Sequence, residues 1–234
     1  MKKTIKLFCF PHAGGLASSY YTWTKSIPEG IEVIPIELAG RGSRYNVDLL
    51  SSIDEIIDDT FNQIKGKLTD QHFAIFGHSM GSLLAYELTK KIKNELNIEP
   101  VHLFFSGSPP FHTIIDKDKH TWNDGKLMNY LNNLGGVTSE INDNKDVWEL
   151  FLPIIRSDIK NYELYEFKDN EYQLNCDISI LYGYDDKTVK IENLKEWNKY
   201  TKGNCKLYGF EGGHFFLEDY EDKILELINY KLTK

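Results

Sequence analysis

The strongest chemical signal in the chain is the pentapeptide Gly77-His78-Ser79-Met80-Gly81. In a G-x-S-x-G pattern a tight, strained turn lifts the serine hydroxyl above a sheet, and the flanking glycines let neighbouring backbone approach where a Cβ would clash. Glycine supplies only 17 of 234 residues, so the pattern is rare by chance. A serine hydroxyl is inert at neutral pH until a base removes its proton, which requires a histidine and an orienting carboxylate further along the chain. His214, in Glu211-Gly212-Gly213-His214-Phe215-Phe216, lies where a loop off a final strand would deliver such a base. His12, in an N-terminal loop, His78, at the variable position of the turn, and His72, His102, His112 and His120 read as ordinary hydrogen-bonded or solvated side chains.

The carboxylate should leave the strand that precedes the histidine. Gly183-Tyr184-Asp185-Asp186-Lys187-Thr188-Val189 offers two aspartates. Asp186, three after the glycine and three before the valine, fits the turn better, and Asp185 reads as a solvent-facing or capping residue. The order Ser79, Asp186, His214 is that of α/β-hydrolases rather than of chymotrypsin or subtilisin. Stabilising an oxyanion needs two donors: the N–H of Met80, directly after the nucleophile at a helix N-terminus, and an N–H from an early loop. Phe10-Pro11-His12-Ala13-Gly14-Gly15 is such a loop, and Ala13 is assigned the second donor; taken alone, the segment also reads as a plain Gly-Gly turn.

These residues need elements to carry them. Apolar, β-branched or aromatic runs at Ile5–Phe10, Ile31–Ile36, Phe73–Phe76, Val101–Phe105, Ile178–Tyr182 and Cys205–Phe210 predict strands, several buried on both faces of a parallel sheet. Helical spacing between them (Ile53, Ile56, Ile57, Phe61, Ile64, Leu68; then Leu83, Leu84, Leu88, Ile92) and in a terminal segment from Tyr220 to Leu232 predicts βαβ units. From about 110 to 169 the alternation stops. Two helix-like stretches, one through Leu127, Tyr130, Leu131 and Leu134 closed by Gly135-Gly136, the other from Val147 to Ile159, predict a helical insertion within a single domain of residues 1–234. The fold class expected is α/β, a mostly parallel central sheet flanked by helices.

Composition limits the partners. With Lys+Arg 27 against Asp+Glu 35 the net charge is −8, which disfavours binding to nucleic acid or an anionic membrane surface. No apolar run approaches the roughly 20 residues that span a bilayer, and Cys9, Cys176 and Cys205 form neither a CxxC pair nor an even framework. A cytoplasmic protein with free thiols, no metal, no organic cofactor and a monomeric state is expected.

Four motifs in order make the resemblance specific: Phe-Pro-His-Ala-Gly-Gly at 10–15; Ala39-Gly40-Arg41-Gly42-Ser43-Arg44; Phe76-Gly77-His78-Ser79-Met80-Gly81 followed by Ala85-Tyr86-Glu87-Leu88; and Gly212-Gly213-His214-Phe215-Phe216. Together they resemble the type II (editing) thioesterases of nonribosomal peptide and polyketide synthesis, over essentially the whole chain, with Ala39 standing where the family has proline. The resemblance implies hydrolysis of acyl or aminoacyl thioesters from the phosphopantetheine arm of carrier proteins, with 110–169 as the lid. Leu152-Pro153-Ile154-Ile155-Arg156-Ser157-Asp158 resembles the family's lid helix; by itself it reads as an amphipathic helix with a solvated Arg156–Asp158 pair. Carrier proteins of such systems are generally acidic, so steering toward a −8 chain should be repulsive overall. Lys90, Lys91 and Lys93 form a local basic group that a solvated helix face explains equally well. The alternatives are a general carboxylesterase, an acyltransferase with the same triad and, outside catalysis, a ligand receptor of this fold.

Overall fold

The computed structural model describes residues 4–68, 72–114, 118–136, 144–168 and 172–233. Its six strands are β1 (Ile5–Phe10), β2 (Ile31–Pro35), β3 (Phe73–His78), β4 (His102–Ser106), β5 (Asp177–Gly183) and β6 (Cys205–Phe210). They pair in the order β2-β1-β3-β4-β5-β6, every pair parallel. β3 and β4 are buried at every position, which is why their sequences run apolar without alternating. Alternation survives as a division between two cores. Phe8, Phe10, Phe73 and Ile75 face one side, and Leu7, Cys9, Ala74 and Phe76 face the other.

The first face is covered by α2 (Ile53–Ile64) and α3 (Met80–Leu96), through Ile56, Ile57, Phe61, Leu84, Leu88 and Ile92. The second is covered by the short α1 (Trp23–Ser26) and the terminal α6 (Glu221–Thr233), through Trp23, Ile224, Leu225 and Ile228. This is the α/β-hydrolase architecture expected. A 3₁₀ helix at Ile191–Tyr200, not anticipated from the sequence, buries Leu194, Trp197 and Tyr200, with Trp197 stacked on Phe105 of β4. No helix among the described residues is long and apolar enough to cross a membrane.

The insertion between β4 and β5 supplies α4 (Asp124–Leu134), ended by Gly135 at φ +82°, and α5 (Lys145–Leu164); residues 115–117, 137–143 and 169 of it lie outside the described set. Leu127, Trp148, Ile155 and Ile159 form a separate apolar cluster joining the two helices. The solvated Arg156–Asp158 pair does not exist. Residues two apart on a helix point to opposite sides. Arg156 accordingly turns to Asp124 and to the carbonyls of His120 and Trp122, while Asp158 is buried against the body of the domain.

The chain passes from β1 to β2 at the sheet edge and returns to β3 on the other side of β1. Loops leaving the carboxyl ends of β1 and β3 therefore diverge. The crevice this opens is where open α/β sheets bind ligands, and the Ala13 and Ser79 loops leave from its two sides.

Candidate active site

Ser79 sits between β3 and α3 at φ 55°, ψ −120°, one of two non-glycine residues with positive φ among those described. Such a conformation costs about 1–3 kcal/mol and persists only where the surroundings enforce it. Here they do. Ser79 N–H donates to Ser106 O at 2.7 Å, and Ser82 Oγ donates to Gly77 O at 2.8 Å. A Cβ at Gly77 would lie 2.1 Å from Gly81 O, and one at Gly81 would lie 2.5 Å from Phe10 O, so both glycines are required by close backbone.

His214 is delivered by the loop after β6 and Asp186 by the loop after β5. The two loops interlock: Asp185 N–H donates to Gly212 O at 2.9 Å, and a Cβ at Gly183 would strike Gly213 O at 2.3 Å. His214 Nδ1 lies 2.7 Å from Asp186 Oδ2. Asp186 Oδ1 accepts from Thr188 N–H at 2.9 Å and from Thr188 Oγ1 at 2.7 Å. Burial alone would raise the Asp186 pKa, but the hydrogen bonds from His214 and Thr188 outweigh it and hold the carboxyl below its ordinary value. Asp185 is exposed. With Nδ1 held by Asp186, His214 has Nε2 for proton exchange.

Of three successive amides in the loop after β1, Gly14 N–H is committed to Asp158 Oδ2 at 2.7 Å and Gly15 N–H to His12 O at 2.9 Å. The Ala13 N–H has no acceptor among the described residues. Met80 opens α3 and so has no intrahelical acceptor for its N–H. Two donors are thereby left on the two sides of the crevice.

Some neighbours of the site were not legible in the sequence. His78 is a hydrogen-bonded histidine, as expected, but its place beside the base was not foreseen: its Nδ1 lies 3.0 Å from Ser106 Oγ, its Nε2 is buried without a partner, and its ring centroid is 5.1 Å from that of His214. Burial, and then the neighbouring His214 and His12, drive its pKa well below the ordinary value. His12 stands edge-on to Phe215 at 4.8 Å, and burial, His214 and Arg41 pull its pKa down to about 4. Both rings are thus neutral at pH 7. Gly107, at φ +57° after β4, makes room for them: a Cβ there would lie 2.6 Å from His78 Cε1 and 3.4 Å from His214 Cε1. The signal was a lone glycine ending an apolar run. No group of three or more His, Cys, Asp or Glu among the described residues is placed to hold a metal ion.

The insertion touches the loops of the site at two places. Gly136, after α4, packs on Phe215, where a Cβ would lie 2.6 Å from its ring. On α5, Ile155 packs against Gly14 and Asp158 binds its N–H. The basic helix face is otherwise neutralised: Lys90 pairs with Glu87, Lys91 with Asp58, and Lys93 with Glu99.

Comparison with known proteins bears on what such a site does. The family described as "Thioesterase domain" matches residues 5–232. The gramicidin S biosynthesis protein GrsT of Aneurinibacillus migulanus is 32% identical over 225 residues, covering 96% of this chain and 87% of its own length. Among solved structures, ClbQ from the colibactin NRPS/PKS pathway superposes with a TM-score of 0.93 at 32% identity, over 99% of this chain and 98% of that one. The type II thioesterase BorB from the borrelidin biosynthetic cluster gives 0.90 at 30% identity, over 99% and 94%.

Proposed function

The chain belongs to the thioesterase family and is a thioester hydrolase; from that premise we propose that it clears acyl and aminoacyl groups from the phosphopantetheine arm of carrier proteins, editing mis-primed or stalled synthases. The observation that carries the reading is the 2.7 Å contact of His214 Nδ1 with Asp186, in a fold that also holds Ser79 at φ 55° in the turn after β3. The relatives' origins in peptide and polyketide assembly support the carrier-bound substrate. The free thiols of Cys9, Cys176 and Cys205 support a cytoplasmic location.

In this mechanism Ser79 Oγ attacks the thioester carbonyl carbon as its proton passes to His214 Nε2. The carbonyl oxygen, now anionic, is held by the N–H groups of Met80 and Ala13. Asp186 fixes the imidazole tautomer and stabilises the imidazolium. Collapse breaks the C–S bond, the pantetheine sulfur takes the proton from His214, and an ester to Ser79 remains. Water then attacks that ester while His214 takes its proton. The second collapse releases the acid and returns the proton to Ser79. An alkyl thiol has a pKa of about 8.5, so this leaving group demands far less of the general acid than an amine would. Neutral His78 and His12 place no second positive charge beside the imidazolium. Turnover of a short-acyl carrier protein beside a matched oxygen ester, in the wild type and Ser79→Ala, tests the proposal.

A further inference from the structure

Asp158 is 1% exposed and belongs to the insertion, yet its carboxylate bonds only to the loops beneath. It forms a two-point ion pair with Arg41, Nη1 to Oδ2 and Nη2 to Oδ1, the latter at 2.7 Å. Oδ2 also accepts the Gly14 N–H at 2.7 Å. Arg41 in turn reaches Gly15 O at 3.4 Å and Ala39 O at 3.3 Å. The segment 12–15 is thus fixed on three counts: the Gly15 N–H to His12 O turn, the Gly14 N–H to Asp158, and the Gly15 carbonyl to Arg41. Ile155, one turn before Asp158, seals the contact, since a Cβ at Gly14 would lie 2.4 Å from its Cγ1.

We propose that Asp158, acting through Gly14 and Arg41, is a positioning residue for the oxyanion hole, so that α5 docked on the domain completes the catalytic geometry. The Ala13 N–H shares its peptide neighbourhood with the Gly14 amide that Asp158 holds. If the carboxylate is removed, the Ala13 donor is free to swing away from the developing oxyanion. Displacement of a catalytic group by about 1 Å can cost about 10²-fold in rate, and loss of an oxyanion donor costs about 10²–10³-fold in kcat. The inference rests on the serine-hydrolase reading and on Ala13 as second donor.

The test compares wild type, Asp158→Asn and Arg41→Lys, each normalised by active-site titration and assayed where circular dichroism shows it folded. Arg41→Lys keeps the charge and loses the two-point geometry, so it serves if Asp158→Asn does not fold. Two probes separate the states: an acyl trifluoromethyl ketone, which adds Ser79 Oγ and places an oxyanion in the hole, and an amide analogue that binds without reacting. The expected result is a fall in kcat of about 10²-fold, KM and amide affinity within about twofold, and ketone affinity weakened in step with kcat. Unchanged kcat per titrated site with unchanged ketone affinity overturns the inference, and so does a change confined to KM. Full activity in Ser79→Ala would instead remove the reading on which it rests.

Discussion

At the residue scale, two adjacent aspartates provide an internal control. Asp186 is buried, faces His214 at 2.7 Å and accepts twice from Thr188; Asp185 is exposed and uses only its backbone to bind Gly212. Asp186→Asn is expected to lower kcat by about 10⁴-fold, because an amide that accepts from Thr188 presents its NH₂ to Nδ1 and favours the wrong imidazole tautomer. Asp185→Asn should leave kcat within about twofold. Steady-state kinetics on both variants check this, and the reverse ranking would reassign the triad. The contact of Asp186 with His214 was legible in sequence, where the spacing from Gly183 to Val189 favours Asp186. The Arg41–Asp158 pair was not: its members lie 117 positions apart, and no local spacing announces a partner that only the folded insertion brings near.

At the element scale, the helices and strands followed their patterns closely, because a strand buried on both faces must be apolar throughout and a helix buried on one face must repeat near every third or fourth residue. The 3₁₀ helix at Ile191–Tyr200 follows the other period: Leu194, Trp197 and Tyr200 recur every three residues, the repeat that stacks side chains on a 3₁₀ helix. Within the insertion, α5 is divided by Pro153, which cannot donate to the helical ladder and crowds the preceding turn. After it, Asp158 binds Arg41 and Gly14, Ser157 and Asn161 donate to Leu50 O, and Glu163 accepts the amides of Lys119 and His120. Before it, Trp148 is held only in the satellite cluster and Leu150 is exposed. Amide hydrogen exchange should therefore protect residues 156–164 well above residues 147–152. Equal protection of the two halves would show that the insertion moves, or stays, as one body.

At the scale of the whole molecule, three histidines whose pKa values are depressed shape how stability responds to pH. His12 and His102 are pulled down to about 4, chiefly by burial, and His78 is driven well below its ordinary value by burial and the neighbouring histidines. From about pH 6.5 down to about 4 the unfolded chain binds protons that the folded protein refuses, so stability falls as pH falls, by about 1.4 kcal/mol per pH unit for each histidine fully titrating. His102 bonds Ser179 Oγ at 2.8 Å at the start of β4, the end of the strand opposite the site. His102→Gln should make the drop in melting temperature between pH 7 and pH 5 shallower while leaving turnover intact. An unchanged slope would contradict the assignment of that proton.

The same scale holds the central claim, that a strained serine served by His214 and Asp186 hydrolyses carrier-bound thioesters. Its most direct test is kcat/KM for a short-acyl phosphopantetheinyl carrier protein beside the same acyl group on coenzyme A and as an oxygen ester, in wild type and Ser79→Ala. The prediction is a clear preference for the carrier thioester, abolished in Ser79→Ala with the fold retained. Preference for the oxygen ester with the carrier thioester ignored would contradict it, leaving the triad in place and the editing role without support.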